Sequence, residues 1–237
     1  MKVKGSAVNF TKLNIRHLLL MLNGLLLSVF LTMISTIAQS SETQDENLAN
    51  APKIVVLGDS LVAGYQLPTG SGYPEQLQEA LTLEGVEAKI IGAGVSGDTT
   101  SGGLSRLNWS VPDDTAGVIL ELGANDALRG LPPEKTRENL DAIIKGLLER
   151  DIQVLVVGML APPNMGQDYA MAFNPIYAEL AGQYDLMLYP FFLDGVMAQP
   201  GMTLKDRMHP NEKGVEEMVK RSLPTVIRFI ENMRPSP

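Results

Sequence analysis

From residue 53 onward, short and continuously apolar runs alternate with longer amphipathic ones. The apolar runs are KIVVL at 53–57, AKIIG at 88–92, GVILEL at 117–122, IQVLVVG at 152–158 and LMLYP at 186–190. Runs of this kind, bounded by Gly, Pro or Asp, suit strands buried on both faces, as in a parallel sheet. Helical candidates fall between them, near 73–84, 99–108, 133–149, 168–184 and 211–232. Pro132-Pro133 stands at the start of one and Pro210-Asn211 precedes the last, both sound helix-start signals. The alternation predicts an α/β fold, a three-layer α/β/α sandwich with right-handed crossovers. About five strands fit a flavodoxin-like parallel sheet better than a barrel of eight. Ligands of open α/β sheets bind at the carboxyl ends of the strands, so residues that carry chemistry should follow strands.

The N-terminus reads differently. Lys2, Lys4, Lys12 and Arg16 precede an uncharged run of 21 residues from Leu18 to Ala38. A basic flank, an apolar stretch and small residues near Thr36-Ile37-Ala38 predict a secretory signal over 1–38, with cleavage after Ala38. The run is also long enough to span a bilayer, so an uncleaved anchor is the alternative, and would be the chain's only contact with a membrane. Either way the basic flank stays cytoplasmic and the remainder is exported, to the periplasm or beyond. Residues 39–51, QSSETQDENLANA, are polar and aromatic-free and read as a flexible segment ahead of a single folded domain over 52–237.

Composition excludes several functions. Beyond residue 38 the chain holds 15 basic and 27 acidic residues, which disfavours a nucleic-acid partner, since binding one requires a basic surface. With no cysteine in the chain, disulfides, thiolate metal sites and a cysteine nucleophile are all removed. Nothing points to an obligate oligomer, and a monomer is expected.

Four short stretches carry the chemistry. The first strand ends in Gly58-Asp59-Ser60-Leu61, where a serine at a helix start offers both a hydroxyl and an outward N–H; an N-cap serine is the ordinary alternative. The glycine expected of a Gly-x-Ser-x-Gly elbow is replaced by Val62, against the common α/β-hydrolase arrangement. The only histidines are His17, in the leader, and His209, so any imidazole that activates Ser60 must be His209. It sits in Asp206-Arg207-Met208-His209, where a carboxylate three residues earlier can reach Nδ1 and leave Nε2 free for a serine proton. A solvated loop histidine would look the same. After the second strand, Gly97 can offer an unhindered N–H or simply make a turn. After the third, Asn125 can donate an amide to an oxyanion or close an Asx-turn.

These stretches, GDSL at 58–61, SGDT at 96–99, GAND at 123–126 and DRMH at 206–209, resemble the four blocks of the SGNH (GDSL-type) hydrolases. ELGANDALRGLPP at 121–133 and LAPPNMGQDYAMAFNPIYAELA at 160–181 are similar to the bacterial periplasmic thioesterase I / protease I / lysophospholipase subgroup. The resemblance covers about residues 53–232. It implies Ser60 as nucleophile, His209 as general base and then acid, and Asp206 as the orienting carboxylate. The N–H groups of Ser60 and Gly97 and the side chain of Asn125 would form the oxyanion hole. A small-molecule acyl ester or thioester would be cleaved through an acyl-enzyme, with no metal or cofactor required. The same resemblance places Ala127, Leu128, Leu131, Leu160 and Met165 along the acyl-binding site.

Other residues carry weaker expectations. Asp59, Asp98 and Asp126 are expected to hold their loops by hydrogen bonding, Glu121 to make a structural bond, and Trp109 to pack. Met159, Met165, Met171 and Met187 suit either an adaptable pocket or core filling. Two further functions use the same scaffold: a carbohydrate O-deacetylase, disfavoured by an aromatic content of only 5%, and a silent binding module, which would need a missing catalytic member. GDSLVAG lacks both the Walker lysine and the Gly-x-Gly-x-x-Gly spacing, against nucleotide binding.

Overall fold

The computed structural model describes residues 51–233. The expected leader over 1–38, all but the last residue of the 39–51 segment, and His17 lie outside the described residues. No described helix is long and apolar enough to cross a membrane.

In chain order, β1 (Lys53–Gly58) leads through a single turn, α1 (Ser60–Ala63), into α2 (Tyr73–Leu83) and β2 (Lys89–Gly94). Two short helices follow, α3 (Thr100–Ser105) and α4 (Leu107–Ser110), before β3 (Gly117–Leu120), α5 (Ala124–Leu128) and α6 (Pro133–Leu148). After β4 (Gln153–Val157) come a 3-10 turn at Pro163–Met165, α7 (Gln167–Phe173), α8 (Ile176–Gln183), β5 (Met187–Tyr189) and α9 (Glu212–Met233). All strand pairs are parallel and the order is β2-β1-β3-β4-β5. This is the flavodoxin-like order, with its switch point at the end of β1. All five expected strands are present.

The strands explain themselves by burial. The three central ones, β1, β3 and β4, are buried almost throughout, whereas the edge strands β2 and β5 are only partly covered. Helices α2 and α9 pack together, and α3, α7 and α8 each pack against α6. Right-handed crossovers place these two groups on opposite faces of the sheet. In α6, Pro133 opens the first turn and Thr136, Leu140, Ile143, Ile144 and Leu147 form the buried stripe, a spacing that repeats every three or four residues.

Two expected helices are divided. The candidate at 99–108 breaks at Arg106, which leaves helical geometry and turns its guanidinium inward. The candidate at 168–184 breaks at Asn174-Pro175. Pro175 lacks a donor for the helix ladder, and Asn174 Oδ1 accepts instead from the N–H of Ala161 at 2.8 Å. The expectation that Trp109 packs is overturned, since its side chain is 84% exposed and Leu107 is the residue that α4 buries.

Candidate active site

The loops after β1, β2 and β3 and the loop before α9 meet at the carboxyl end of the sheet. Asp59, not Ser60, caps α1: its Oδ1 accepts from the N–H of Leu61 at 3.0 Å. The alternative reading of Ser60 as a capping residue is thereby removed. Its Oγ is free to face the imidazole of His209, with Nε2 at 2.9 Å. On the other side of the ring, Nδ1 lies 2.7 Å from Asp206 Oδ2. Asp206 Oδ1 accepts from the N–H groups of Met208 and His209 at 2.9 and 3.1 Å. Folding the carboxylate back onto its own loop requires a turn, and Arg207 supplies it at φ 60°, a left-handed conformation uncommon for such a residue.

The histidine loop is held at its base. Thr203 and Pro210 form an isolated antiparallel bridge, Leu204 N–H donates to the carbonyl of His209 at 2.8 Å, and Asn211 N–H to that of Met202 at 3.0 Å. Asn211 Oδ1 accepts from the N–H of Gly214 at 3.0 Å, capping α9. The long helix therefore anchors the imidazole.

Each of the three strand-end blocks contributes an aspartate that ties it to a neighbour. Asp59 Oδ2 accepts from Asn125 Nδ2 at 2.8 Å. Asp98 Oδ2 pairs with Arg106 Nε at 2.6 Å. Through its other nitrogens Arg106 donates to the carbonyls of Gly58 and Ala93 at 2.8 and 2.9 Å. Asp126 is buried and accepts from both the N–H and the Oγ1 of Thr100, at 2.9 and 2.5 Å, and from Thr136. The first, second and third blocks are thus cross-linked in a ring. Gly97 stands at φ 83°, open to glycine without strain, and its carbonyl accepts from Arg129 at 2.6 Å. Among the described residues, the N–H groups of Ser60 and Gly97 donate to no protein acceptor. Asn125 keeps a second amide hydrogen.

The carboxylates differ sharply in electrostatics. Burial pushes Asp59 up to about 6, opposed by hydrogen bonds from Leu61 and Asn125 and by His209. Glu121, fully buried behind it, is raised well above the ordinary range, first by burial and then by the charge of Asp59. Its Oε1 has no partner, while Oε2 lies 3.4 Å from the N–H of Asp59. Asp206 moves the other way. Partial burial raises it, but the donors of Met208 and His209 together outweigh this and hold it below the usual carboxylate range. Asp206 is therefore the anionic member next to the imidazole.

The residues expected along an acyl site divide by exposure. Ala127 is fully buried, so its methyl belongs to the core, while Leu128 and Leu160 are about half exposed. Tyr169 Oη donates to the carbonyl of Leu131 at 2.8 Å. A methyl built onto Gly130 would lie 3.3 Å from Met165 Cε. The segments at 127–131 and 160–165 are thus neighbours, with Met165 close to Gly130. Of the other methionines, Met159 is in the core and Met171 is exposed. Sequence reasoning missed Arg106, Arg129 and Tyr65. A lone arginine or tyrosine in an amphipathic stretch carries no local mark of what it will reach.

Similarity to known proteins agrees with this architecture. The model of the GDSL-like Lipase/Acylhydrolase family matches residues 56–216. An arylesterase from Vibrio mimicus is 38% identical over 175 residues, 72% of this chain and 88% of the relative. The thioesterase 1/protease 1/lysophospholipase L1 of Escherichia coli K12 is 34% identical over 164 residues, 69% of this chain and 77% of the relative. The solved structure of AlinE4, an SGNH-hydrolase family esterase, superposes with a TM-score of 0.64 at 46% identity, covering 75% of this chain and 96% of that one. The fold, its three strand-end blocks and the histidine loop define an SGNH-type hydrolase. The chain belongs to the GDSL-like lipase/acylhydrolase family.

Proposed function

We propose that the chain is an exported serine esterase that hydrolyses acyl esters and thioesters through Ser60, His209 and Asp206. The observation that carries this reading is the unbroken line from Ser60 Oγ to His209 Nε2 at 2.9 Å and from Nδ1 to Asp206 at 2.7 Å. Ser60 Oγ attacks the acyl carbonyl as Nε2 takes its proton, and Asp206 holds the tautomer and stabilises the imidazolium. The N–H groups of Ser60 and Gly97 and the amide of Asn125 receive the oxyanion. Collapse expels the alcohol or thiol, protonated by His209. Water, activated by the same imidazole, then frees the acid from Ser60.

The substrate class follows from the rim. Five exposed apolar side chains, Tyr65, Val95, Leu128, Leu160 and Met208, stand on the segments that follow β1, β2, β3 and β4 or precede α9. Such a rim suits an acyl chain better than a sugar. The names of the arylesterase and thioesterase relatives support both ester and thioester chemistry. Residues 1–38 serve as leader, 39–51 as the connecting segment and 52–237 as the hydrolase domain, acting as a monomer.

The test is hydrolysis of nitrophenyl esters from acetyl to palmitoyl, and of acyl thioesters, by the full chain and its Ser60→Ala variant. Ser60-dependent turnover best at medium or long chains is expected. Turnover confined to acetyl would move the reading to a deacetylase, and none from a folded protein would end it. Fractionation of expressing cells tests export, which retention in the cytoplasm would contradict.

A further inference from the structure

Tyr65 follows Ser60 by five residues and lies outside every helix and strand. Gly64, at φ 67°, closes α1 with its N–H on the carbonyl of Ser60, and the N–H of Tyr65 reaches the same carbonyl at 3.2 Å. This reversal carries the Tyr65 ring back over the imidazole of His209. The ring centroids are 4.4 Å apart, with the planes inclined at 38°. Gln66, itself at φ 57°, donates Nε2 to Tyr65 Oη at 3.0 Å and holds the outer end of the ring. Tyr65 is 38% exposed, so core packing does not account for its placement.

We infer that Tyr65 is a positioning residue whose ring keeps His209 in line between Ser60 and Asp206 and stabilises its protonated form during acyl transfer. The inference rests on the proposed role of His209 as base. A cation within about 6 Å of an aromatic centroid is attracted to the ring face, and the imidazole becomes a cation at the moment Ser60 gives up its proton. The other groups that bear on His209 are Asp206 at Nδ1, the neutral Ser60 hydroxyl at Nε2 and, through its charge, Asp59. A change at Tyr65 removes none of these groups, so a shift in the midpoint reads what the ring contributes to holding and stabilising His209.

Two roles for the ring predict opposite signs. If the ring stabilises the cation, its loss lowers the midpoint at which His209 protonates. If it merely shields the imidazole from water, its loss favours the charged form and raises that midpoint. The experiment titrates the imidazole signals of the full chain by NMR, using His209→Gln to tell His209 from His17. It compares Tyr65 with Tyr65→Phe, Tyr65→Leu and Tyr65→Trp. Phe should keep the native midpoint, Leu should lower it by about half a unit, and Trp should hold or raise it. The acid limb of kcat/KM should move with it, and Phe should retain most of the rate. An unchanged or higher midpoint in the Leu variant, or a rate loss without a shift, overturns the inference. The Trp variant supplies the comparison even if Leu folds poorly. Hydrolysis that survives Ser60→Ala would instead remove the proposed function, while leaving the titration comparison intact.

Discussion

The side-chain amide of Asn125 donates to Asp59 Oδ2 at 2.8 Å, which fastens the turn after β3 to the residue immediately before Ser60. The proposed oxyanion donor and the proposed nucleophile are therefore set by a single carboxylate. That carboxylate is expensive to hold as a charge. Its folded pKa is raised to about 6 by burial, so it favours the folded state below its unfolded value of 3.8 and loses that contribution as pH rises through 6.

Asp59→Asn consequently has two separable effects. Relative to the native chain, the variant should gain on the order of 2 kcal/mol in stability between pH 4 and pH 7, read from urea unfolding at both pH values. One amide oxygen cannot replace two carboxylate oxygens toward Leu61 and Asn125, so kcat should fall roughly tenfold to a hundredfold with KM little changed. A stability difference that does not vary with pH would show that Asp59 is not the strained carboxylate described.

Arg106 pins the second block to the first through one ion pair and two backbone carbonyls, with its side chain only 13% exposed. Arg106→Lys keeps the charge but not the planar fork. It should lower stability by about 2 kcal/mol and kcat at least tenfold, because two carbonyls lose their donors and the Gly97 loop its anchor. Native stability and rate in this variant would show that the pin is dispensable.

Legibility followed the range of the contact. The buried strands β1, β3 and β4 were readable because a strand covered on both faces has no polar alternation to lose. The order of Ser60, Gly97 and Asn125 after successive strands, with His209 before the last helix, was readable because chemistry in such sheets sits at the carboxyl ends of the strands. Helix division at Arg106 was not, since the break serves bonds to Gly58 and Ala93, which lie on other strands. Trp109 misled because size alone suggests packing, whereas Leu107 is the residue that α4 buries. Tyr65 over His209 joins residues 144 positions apart in sequence, and no local pattern announces such a pair.

The neighbouring segments at 127–131 and 160–165 suggest where chain length is sensed. Leu131→Trp and Met165→Trp should lower kcat/KM for palmitoyl esters about tenfold more than for acetyl esters, by adding bulk where the two segments meet. An unchanged chain-length profile in both variants would place the acyl chain elsewhere.

The most direct test of the chemistry is to trap the intermediate. The full chain, mixed with a nitrophenyl ester and quenched within one turnover, should yield a peptide bearing one acyl group on Ser60 by mass spectrometry. His209→Gln should abolish that adduct. An acyl group on another residue, or turnover with Ser60 never modified, would contradict the Ser60–His209–Asp206 mechanism.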